Sequence, residues 1–146
     1  MKKVTIYTDG ACKGNPGVGA WAAIVIYKEE LKEIFGCEEH STNNRMELLA
    51  AINGIELLKE KCEIDIYTDS SYLKNGISIW IKDWQKNGWK NKKKEEVKNK
   101  DLWQRLYFLV FRHDINWNWV KGHCGNKYNE YVDKLANLAI IQKWGK

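Results

Sequence analysis

The tetrapeptide Ile-Tyr-Thr-Asp occurs twice in the chain, at residues 6–9 and at residues 66–69, and a small residue follows each copy. Residues 4–9 and 64–68 have the alternating, β-branched and aromatic character of strands. Residues 43–59, between them, have a helical pattern that is apolar around most of its circumference, which predicts a largely buried helix. A strand–helix–strand crossover of this length implies parallel strands. Asp9 and Asp69 would then end neighbouring strands at one edge of a sheet.

The remaining segments complete an α/β fold. Residues 18–27 and 31–37 are predicted strands that form an antiparallel meander with the first strand, because the connections are short. Residues 70–86 predict a helix with a possible break near Trp80, followed by a basic loop at 87–99, a helix at 101–112, a strand at 115–120 and a closing helix at 126–143. The expected architecture is one domain, residues 1–146, with a five-stranded mixed sheet (three antiparallel strands plus two parallel) flanked by helices on both faces.

Two further acidic residues belong to the predicted helices. Glu47 lies one turn into the buried helix, and its face continues through small and apolar residues, so its carboxylate is predicted to point inward. Asp133 shares a face of the closing helix with Asn129, four residues earlier. If Asp9, Glu47 and Asp69 converge at one sheet edge, they repel each other and raise each other's pKa. A divalent cation would neutralise them, and ligation by carboxylates alone favours Mg²⁺ or Mn²⁺.

Each acid also has a structural alternative. Asp9 with Gly10 could form a turn, Asp69 could cap the helix that follows it, and Asp133 could be an exposed helix charge. Glu47 could close a capping box with Asn44. These alternatives stay open on the sequence alone.

The net charge of +5 is concentrated between residues 82 and 100, which hold eight lysines against three acidic residues, while the rest of the chain is neutral. Such a patch suits a polyanion, although a solvated lysine-rich loop is the alternative. Trp80, Trp84 and Trp89 are interleaved with the lysines, which favours nucleic acid. These tryptophans could equally anchor the segment to the core.

Other features bear on the cellular compartment and on alternative kinds of site. The four cysteines show no CxxC spacing, which is typical of reduced thiols in a cytoplasmic protein. A zinc site that combines Cys37 and His40 with His123 and Cys124 is disfavoured by its spacing. The start of the chain shows no signal peptide, and no apolar stretch is long enough to span a membrane. His113 is interpreted as structural or exposed; it ends a predicted helix, a position that favours a cation.

Four motifs together resemble the bacterial-type, type 1 ribonuclease H family: TDGACKGNPG (8–17), TNNRMELLAA (42–51), TDSSY (68–72) and VKGHCGNKYNEYVDKLA (120–136). Residues 80–100 resemble the basic helix-loop protrusion of that family, and the similarity covers essentially the whole chain. It implies the ribonuclease H-like fold and an endonuclease that hydrolyses the RNA strand of RNA–DNA hybrids without sequence specificity. Two divalent ions with substrate bound, and products with 5′-phosphate and 3′-hydroxyl ends, are implied as well.

The same resemblance implies the site residues. The metal-binding catalytic acids would be Asp9, Glu47, Asp69 and Asp133, and His123 would assist proton transfer or product release. Contacts to the hybrid are implied for three groups: the minor groove (Cys12, Asn15, Asn43 and Asn44), the channel for the DNA strand (Tyr72, Trp80 and Trp84) and a pocket for a DNA phosphate (Thr42 and Asn99).

The chain also departs from its relatives. Ser71 replaces a glutamine common among them, and His40 replaces an arginine beside the phosphate pocket. We expect no separate N-terminal hybrid-binding domain, and a monomer. Two other functions remain: a DNA-processing nuclease on the same scaffold, which the asparagines and the basic protrusion disfavour, and a non-catalytic hybrid-binding module, which would not need four acids.

Overall fold

The computed structural model describes residues 1–120 and 127–144. The sheet consists of β1 (Lys2–Gly14), β2 (Gly17–Tyr27), β3 (Glu30–Ser41), β4 (Cys62–Thr68) and β5 (Asp114–Trp119). The helices are α1 (Asn43–Glu56), α2 (Ser71–Asn75), α3 (Ile81–Lys86), α4 (Lys100–Arg112) and α5 (Lys127–Trp144), and a π-helical segment, Gly76–Trp80, joins α2 to α3.

The five strands lie in the order β3-β2-β1-β4-β5. β1 pairs antiparallel with β2, as β2 does with β3, whereas β1–β4 and β4–β5 are parallel pairs. The predicted meander and the predicted parallel crossover through α1 are both confirmed. The crossover places the carboxyl ends of β1 and β4 at the same edge.

Helices cover both faces of the sheet, as predicted. On one face Ile6 and Ile66 pack in the main core with α1 and α4. On the other face Tyr7 packs against Val132 and Ala136 of α5. The predicted burial of α1 is confirmed, because nine of its fourteen residues are buried between the sheet and its neighbours.

Several predicted boundaries were wrong. β1 does not end at Asp9 but continues to Gly14, because its antiparallel pairing with β2 extends five residues farther. α1 ends at Glu56 rather than near Lys59. The possible break near Trp80 in the helix predicted at 70–86 is confirmed, because the π-helical segment Gly76–Trp80 interrupts it. At Gly76 the Trp103 indole occupies the position of a Cβ, so the ring packs directly on the helix backbone.

The segment between α3 and α4 is a folded loop rather than a loose lysine-rich chain. The Trp89 N–H donates to the Trp84 carbonyl (2.7 Å), and the Val97 N–H donates to the Trp89 carbonyl (3.1 Å). The Asn91 carboxamide oxygen accepts from two backbone N–H groups within the loop. Val97 is buried, so the loop is fixed to the core while its lysines stay exposed.

His113 is structural rather than exposed, the first of the two predicted alternatives. It is buried at the end of α4, and its Nδ1 accepts a hydrogen bond from the Cys62 N–H (3.1 Å). Burial, then the positive charges of Arg112 and Lys61, lower its pKa. The structural interpretation of His113 is therefore confirmed, and the ring acts as a neutral acceptor rather than as the cation that a helix end favours.

Among the helices that the structure describes, none is both long enough and apolar enough to cross a membrane.

Candidate active site

Asp9 and Asp69 lie where β1 and β4 separate. The last register pair of these parallel strands is Tyr7 opposite Tyr67, and each aspartate follows two residues later. Because side chains alternate along a strand, Asp9 shares the face of Tyr7, which α5 covers. The two copies of the tetrapeptide thus run side by side and bring their aspartates to one edge.

Glu47 reaches the same edge from α1, and Gly10 makes this approach possible. A Cβ on Gly10 would lie 2.7 Å from the Glu47 backbone nitrogen and 2.8 Å from the Met46 Cβ, closer than real Cβ atoms come. The small residue after Asp9 is therefore required by the close packing of α1 on β1. The Gly10 N–H also donates to Asp9 Oδ1 (2.9 Å).

The structure excludes the capping alternatives for Glu47 and Asp69. Thr42 caps α1 by accepting from the Arg45 N–H, so Asn44 forms no capping box with Glu47. Ser70 caps α2 by accepting from the Leu73 N–H. The turn alternative for Asp9 fails as well, because Asp9 lies within β1.

The carboxylates of Asp9, Glu47 and Asp69 form a cluster in which one oxygen from each lies within 4.8 Å of the others. Asp9 and Glu47 are buried, whereas Asp69 is exposed. Burial, a hydrogen bond with Asp133 and the charge of Asp69 raise the pKa of Asp9 to about 8. Burial, followed by the charges of Asp9 and Asp69, raises the pKa of Glu47 well above its ordinary value.

Asp133 approaches this cluster from α5. It is close enough to Asp9 to help raise the pKa of that carboxyl, and it is partly buried rather than freely exposed. Asn137, one turn later, donates to the Asp133 carbonyl (2.9 Å) and lies 3.4 Å from Asp133 Oδ1. Four acidic side chains from β1, α1, α5 and the end of β4 are therefore neighbours.

The cluster suits a hard cation. Glu47 Oε1 is buried and has no hydrogen-bond donor within the described residues. A buried carboxylate oxygen without a partner is costly, and a cation would satisfy it. The donors that converge here are carboxylates only, which favours Mg²⁺ or Mn²⁺ over zinc.

Comparison with known proteins identifies the family. The sequence model of the RNase H family matches residues 1–141. A curated ribonuclease H of Francisella tularensis subspecies novicida is 58% identical over 144 residues, covering 99% of this chain and 95% of the relative. A ribonuclease H of Francisella philomiragia is 59% identical over 143 residues, covering 98% and 94%. The chain belongs to the ribonuclease H family.

A solved ribonuclease H supports the same assignment. LC9-RNase H1, described as a type 1 RNase H with the type 2 active-site motif, is 32% identical with a TM-score of 0.82, over 94% of this chain and 72% of that one. Sequence and fold together make this chain a bacterial-type, type 1 ribonuclease H, and hence an enzyme.

The residues expected at the minor groove of a ribonuclease H substrate lie around the start of α1. Asn15 Oδ1 accepts from the Asn43 N–H (3.1 Å), which joins the β1–β2 turn to the helix, and Asn15, Asn43 and Asn44 are all exposed. Cys12 is half-buried, and its thiol contacts the carbonyls of Gly17 and Ser41. His123 lies outside the described residues.

The residues expected to form the channel for the DNA strand lie along one aromatic wall. The rings of Tyr72 and Trp80 are 5.8 Å apart, and those of Trp80 and Trp84 are 5.7 Å apart. A cavity of about 360 Å³ is lined by Tyr72, Trp80 and Trp84 together with Lys90, Lys92 and Lys98. Trp84 and Trp89 pack against the main core, so the anchoring alternative is confirmed for them, whereas contact with nucleic acid stays a prediction.

Thr42 and Asn99, expected at the phosphate pocket, are joined by a residue that sequence reasoning missed. The Arg45 backbone N–H donates to Thr42 Oγ1 (3.2 Å), and its guanidinium Nη1 donates to Asn99 Oδ1 (3.4 Å). Arg45 stands inside one of the quoted motifs, but its contacts lie up to 56 residues away in sequence. His40 and Ser71, where the chain departs from its relatives, are both exposed.

Proposed function

We propose that this protein is a metal-dependent endonuclease that hydrolyses the RNA strand of RNA–DNA hybrids, leaving 5′-phosphate and 3′-hydroxyl ends. The observation that supports the proposal is the convergence of Asp9, Glu47 and Asp69 from three elements, with Glu47 Oε1 buried and without a donor among the residues that the structure describes. Membership of the ribonuclease H family agrees with it.

Asp9, Glu47, Asp69 and Asp133 would hold two Mg²⁺ ions when substrate is bound. Two such ions supply positive charge that activates water and stabilises the leaving oxygen of an in-line displacement. The four carboxylates hold that charge at the sheet edge, and the rigid contact of α1 with β1 at Gly10 fixes two of them. His123, by resemblance, would move a proton or assist product release.

Recognition of a hybrid requires that each strand be identified without reading its sequence. The exposed amides of Asn15, Asn43 and Asn44 can both donate to and accept from the 2′-hydroxyl groups that mark RNA. The aromatic wall of Tyr72, Trp80 and Trp84 offers an apolar surface for the sugars of the DNA strand. Lysines of the loop 87–99 supply the affinity for phosphates that is independent of sequence.

The deciding experiment compares three labelled duplexes: an RNA–DNA hybrid, duplex RNA and duplex DNA, each with Mg²⁺ and with EDTA. We expect cleavage of the RNA strand of the hybrid alone, and only with metal. Cleavage of duplex DNA would favour a DNA-processing nuclease, and tight hybrid binding without cleavage would favour a binding module.

Two variants test the assignment of the acids. Asp9→Asn is expected to abolish cleavage while hybrid binding persists. Asp65→Asn is the matched control, because Asp65 lies on β4 but is exposed and outside the acidic cluster. Mg²⁺-dependent cleavage by Asp9→Asn at the rate of the control would refute the metal assignment.

A further inference from the structure

We infer that Arg45 is a positioning residue that orients both arms of the phosphate pocket, Thr42 and Asn99, toward a phosphate of the DNA strand. The inference rests on the proposed function, which supplies the hybrid. It adds a residue that neither the motifs nor the similarity to relatives assigned a role.

The Asn99 side chain contacts other residues instead of capping the helix that it precedes. It occupies the N-cap of α4 in the left-handed region (φ 58°, ψ 30°), and its side chain forms no capping hydrogen bond. At an N-cap, the side chain of asparagine usually accepts a hydrogen bond from a backbone N–H of the helix. Here the carboxamide instead lies between Arg45 and Tyr72.

The neighbours of that carboxamide determine which way it points. Arg45 is a donor only, so the atom that faces Nη1 must be the carbonyl oxygen. The amide nitrogen therefore faces Tyr72 and donates to its hydroxyl oxygen (3.3 Å). A carboxamide nitrogen carries two hydrogens, and we assign the second to a phosphate oxygen. Without Arg45, the amide could turn over and present its oxygen to that phosphate.

Thr42 is held by the same residue through the backbone. Its Oγ1 accepts from the Arg45 N–H, so the hydroxyl uses its oxygen for the cap and keeps its hydrogen to donate. Both pocket residues thus present donors while Arg45 occupies their acceptors. An anion with acceptors only is the complementary ligand.

Arg45 is itself poorly placed to be the main phosphate ligand. Its Nε donates to Glu38 Oε1 (3.1 Å), and its Nη2 contacts Asp101 Oδ2 (3.4 Å), so two carboxylates balance its charge. The three nitrogens of the fork thereby tie β3, Asn99 and the first turn of α4 to α1. A planar fork can hold three partners in fixed directions, which a lysine ammonium cannot do.

The test measures hybrid binding in EDTA, with the phosphates of the DNA strand replaced one at a time by uncharged methylphosphonates. For the wild-type protein we expect one position whose replacement weakens binding about tenfold, the loss expected for a hydrogen bond to a charged group. Arg45→Met should bind the unmodified hybrid more weakly and respond much less to replacement at that position; a small response persists, because the backbone N–H of residue 45 still holds Thr42. Asn99→Ala should behave alike, and the double variant should be no weaker than either single one.

Arg105→Met is the matched control, because Arg105 also links α4 to α1, through Glu56 (2.7 Å), without contacting Asn99. It should keep the wild-type response to the modified position. If thermal melting shows that Arg45→Met does not fold, Arg45→Lys replaces it, with a reduced response expected.

The inference is overturned if no position responds in the wild type, if an Arg45 variant keeps the full penalty, or if the Arg45 and Asn99 effects add. Hydrolysis with Mg²⁺ is measured separately on the unmodified hybrid. A protein that shows the Arg45-dependent response in EDTA but never cleaves would refute the proposed function and leave the pocket assignment intact.

Discussion

Tyr7 and Tyr67 face each other across the parallel pair of β1 and β4, with their rings stacked 4.8 Å apart at an interplanar angle of 16°. They are the same residue of the two Ile-Tyr-Thr-Asp copies, whose sixty-residue separation equals the offset of the strand register. The stack is the last paired position before β1 and β4 separate, so Asp9 and Asp69, two residues later, lie at the same edge of the sheet. The repeat is a pair of register-matched segments that mark where the parallel pairing of β1 and β4 ends, although β1 itself continues to Gly14 along β2.

In the absence of metal, the acidic cluster should make the free energy of unfolding depend on pH. The pKa of Asp9 is raised from 3.8 to about 8, first by burial, then by Asp133 and Asp69. A raised pKa gives stability that is complete below pH 3.8 and is lost as pH rises through about 8. In EDTA, urea unfolding should show lower stability at pH 8 than at pH 5, by on the order of a few kcal/mol, and Asp9→Asn should reduce this difference.

Mg²⁺ provides the check on that prediction. Because a cation that binds only the folded state stabilises it, Mg²⁺ should raise the melting temperature of the wild type more at pH 8 than at pH 5. Asp65→Asn should show the same dependence of stability on pH as the wild type. A wild-type stability that is flat from pH 5 to pH 8 in EDTA would contradict the assignment of the raised pKa.

Gly10 fixes the distance between β1 and α1, so Gly10→Ala should damage both stability and catalysis. The new Cβ would meet backbone atoms of Met46 and Glu47 at 2.7 Å, and backbone cannot move aside without shifting the helix. We expect a loss of about 2 kcal/mol in the free energy of unfolding and about 100-fold in kcat. Chemical denaturation and cleavage of the hybrid measure the two effects.

Gly88→Ala is the control for Gly10→Ala. A Cβ there meets no atom of the described residues within 4 Å, but the backbone has φ +68°, so only backbone strain of about 1 kcal/mol is expected. Its kcat should stay at the wild-type value. If Gly10→Ala were as mild as Gly88→Ala, the close approach of α1 would not be needed for the site.

Most of the architecture could be predicted because each main element has its own periodic pattern. The position where β1 ends could not, since its last residues are held by the partner strand β2 rather than by their own sequence. The π-helical segment ends at Trp80, where a possible break was predicted. The contact of Trp103 with Gly76, 27 residues earlier, could not be predicted, because such long-range packing leaves no local signal.

The acidic site could be predicted in outline for the same reason. Asp9 and Asp69 follow recognisable strands, and Glu47 interrupts an apolar helix face, so each is marked locally. Arg45 and Asn99 have no such mark, because their contact depends on how α1 and α4 cross. For His113 the sequence left structural and exposed roles open, because it did not show that Cys62 of β4 contacts this helix end.

The lysines of the loop 87–99 should set the salt dependence of hybrid binding. Replacing Lys90, Lys92, Lys93 and Lys94 by Ala should reduce the slope of log K against log salt by about 0.8 for each lysine that contacts a phosphate, or by about 2 to 3 in all. The matched control replaces four lysines outside the loop: Lys2 and Lys3 at the start of β1, and Lys59 and Lys61 shortly before β4. Equal slopes for the wild type and the loop variant would mean that the loop is only solvated.

His113 should make the protein sensitive to mild acid. Its pKa is lowered by burial and by the charges of Arg112 and Lys61, so the stability it contributes is present above pH 6.5 and is lost as pH falls through the lowered value. Protonation would turn Nδ1 into a donor facing the Cys62 N–H. His113→Asn keeps an acceptor and should lose this pH dependence, whereas His113→Ala should cost about 1–3 kcal/mol at pH 7.5 by leaving that N–H unpaired. Unfolding in urea from pH 5 to 7.5 measures both, and an unchanged profile in His113→Asn would exclude His113 as the titrating group.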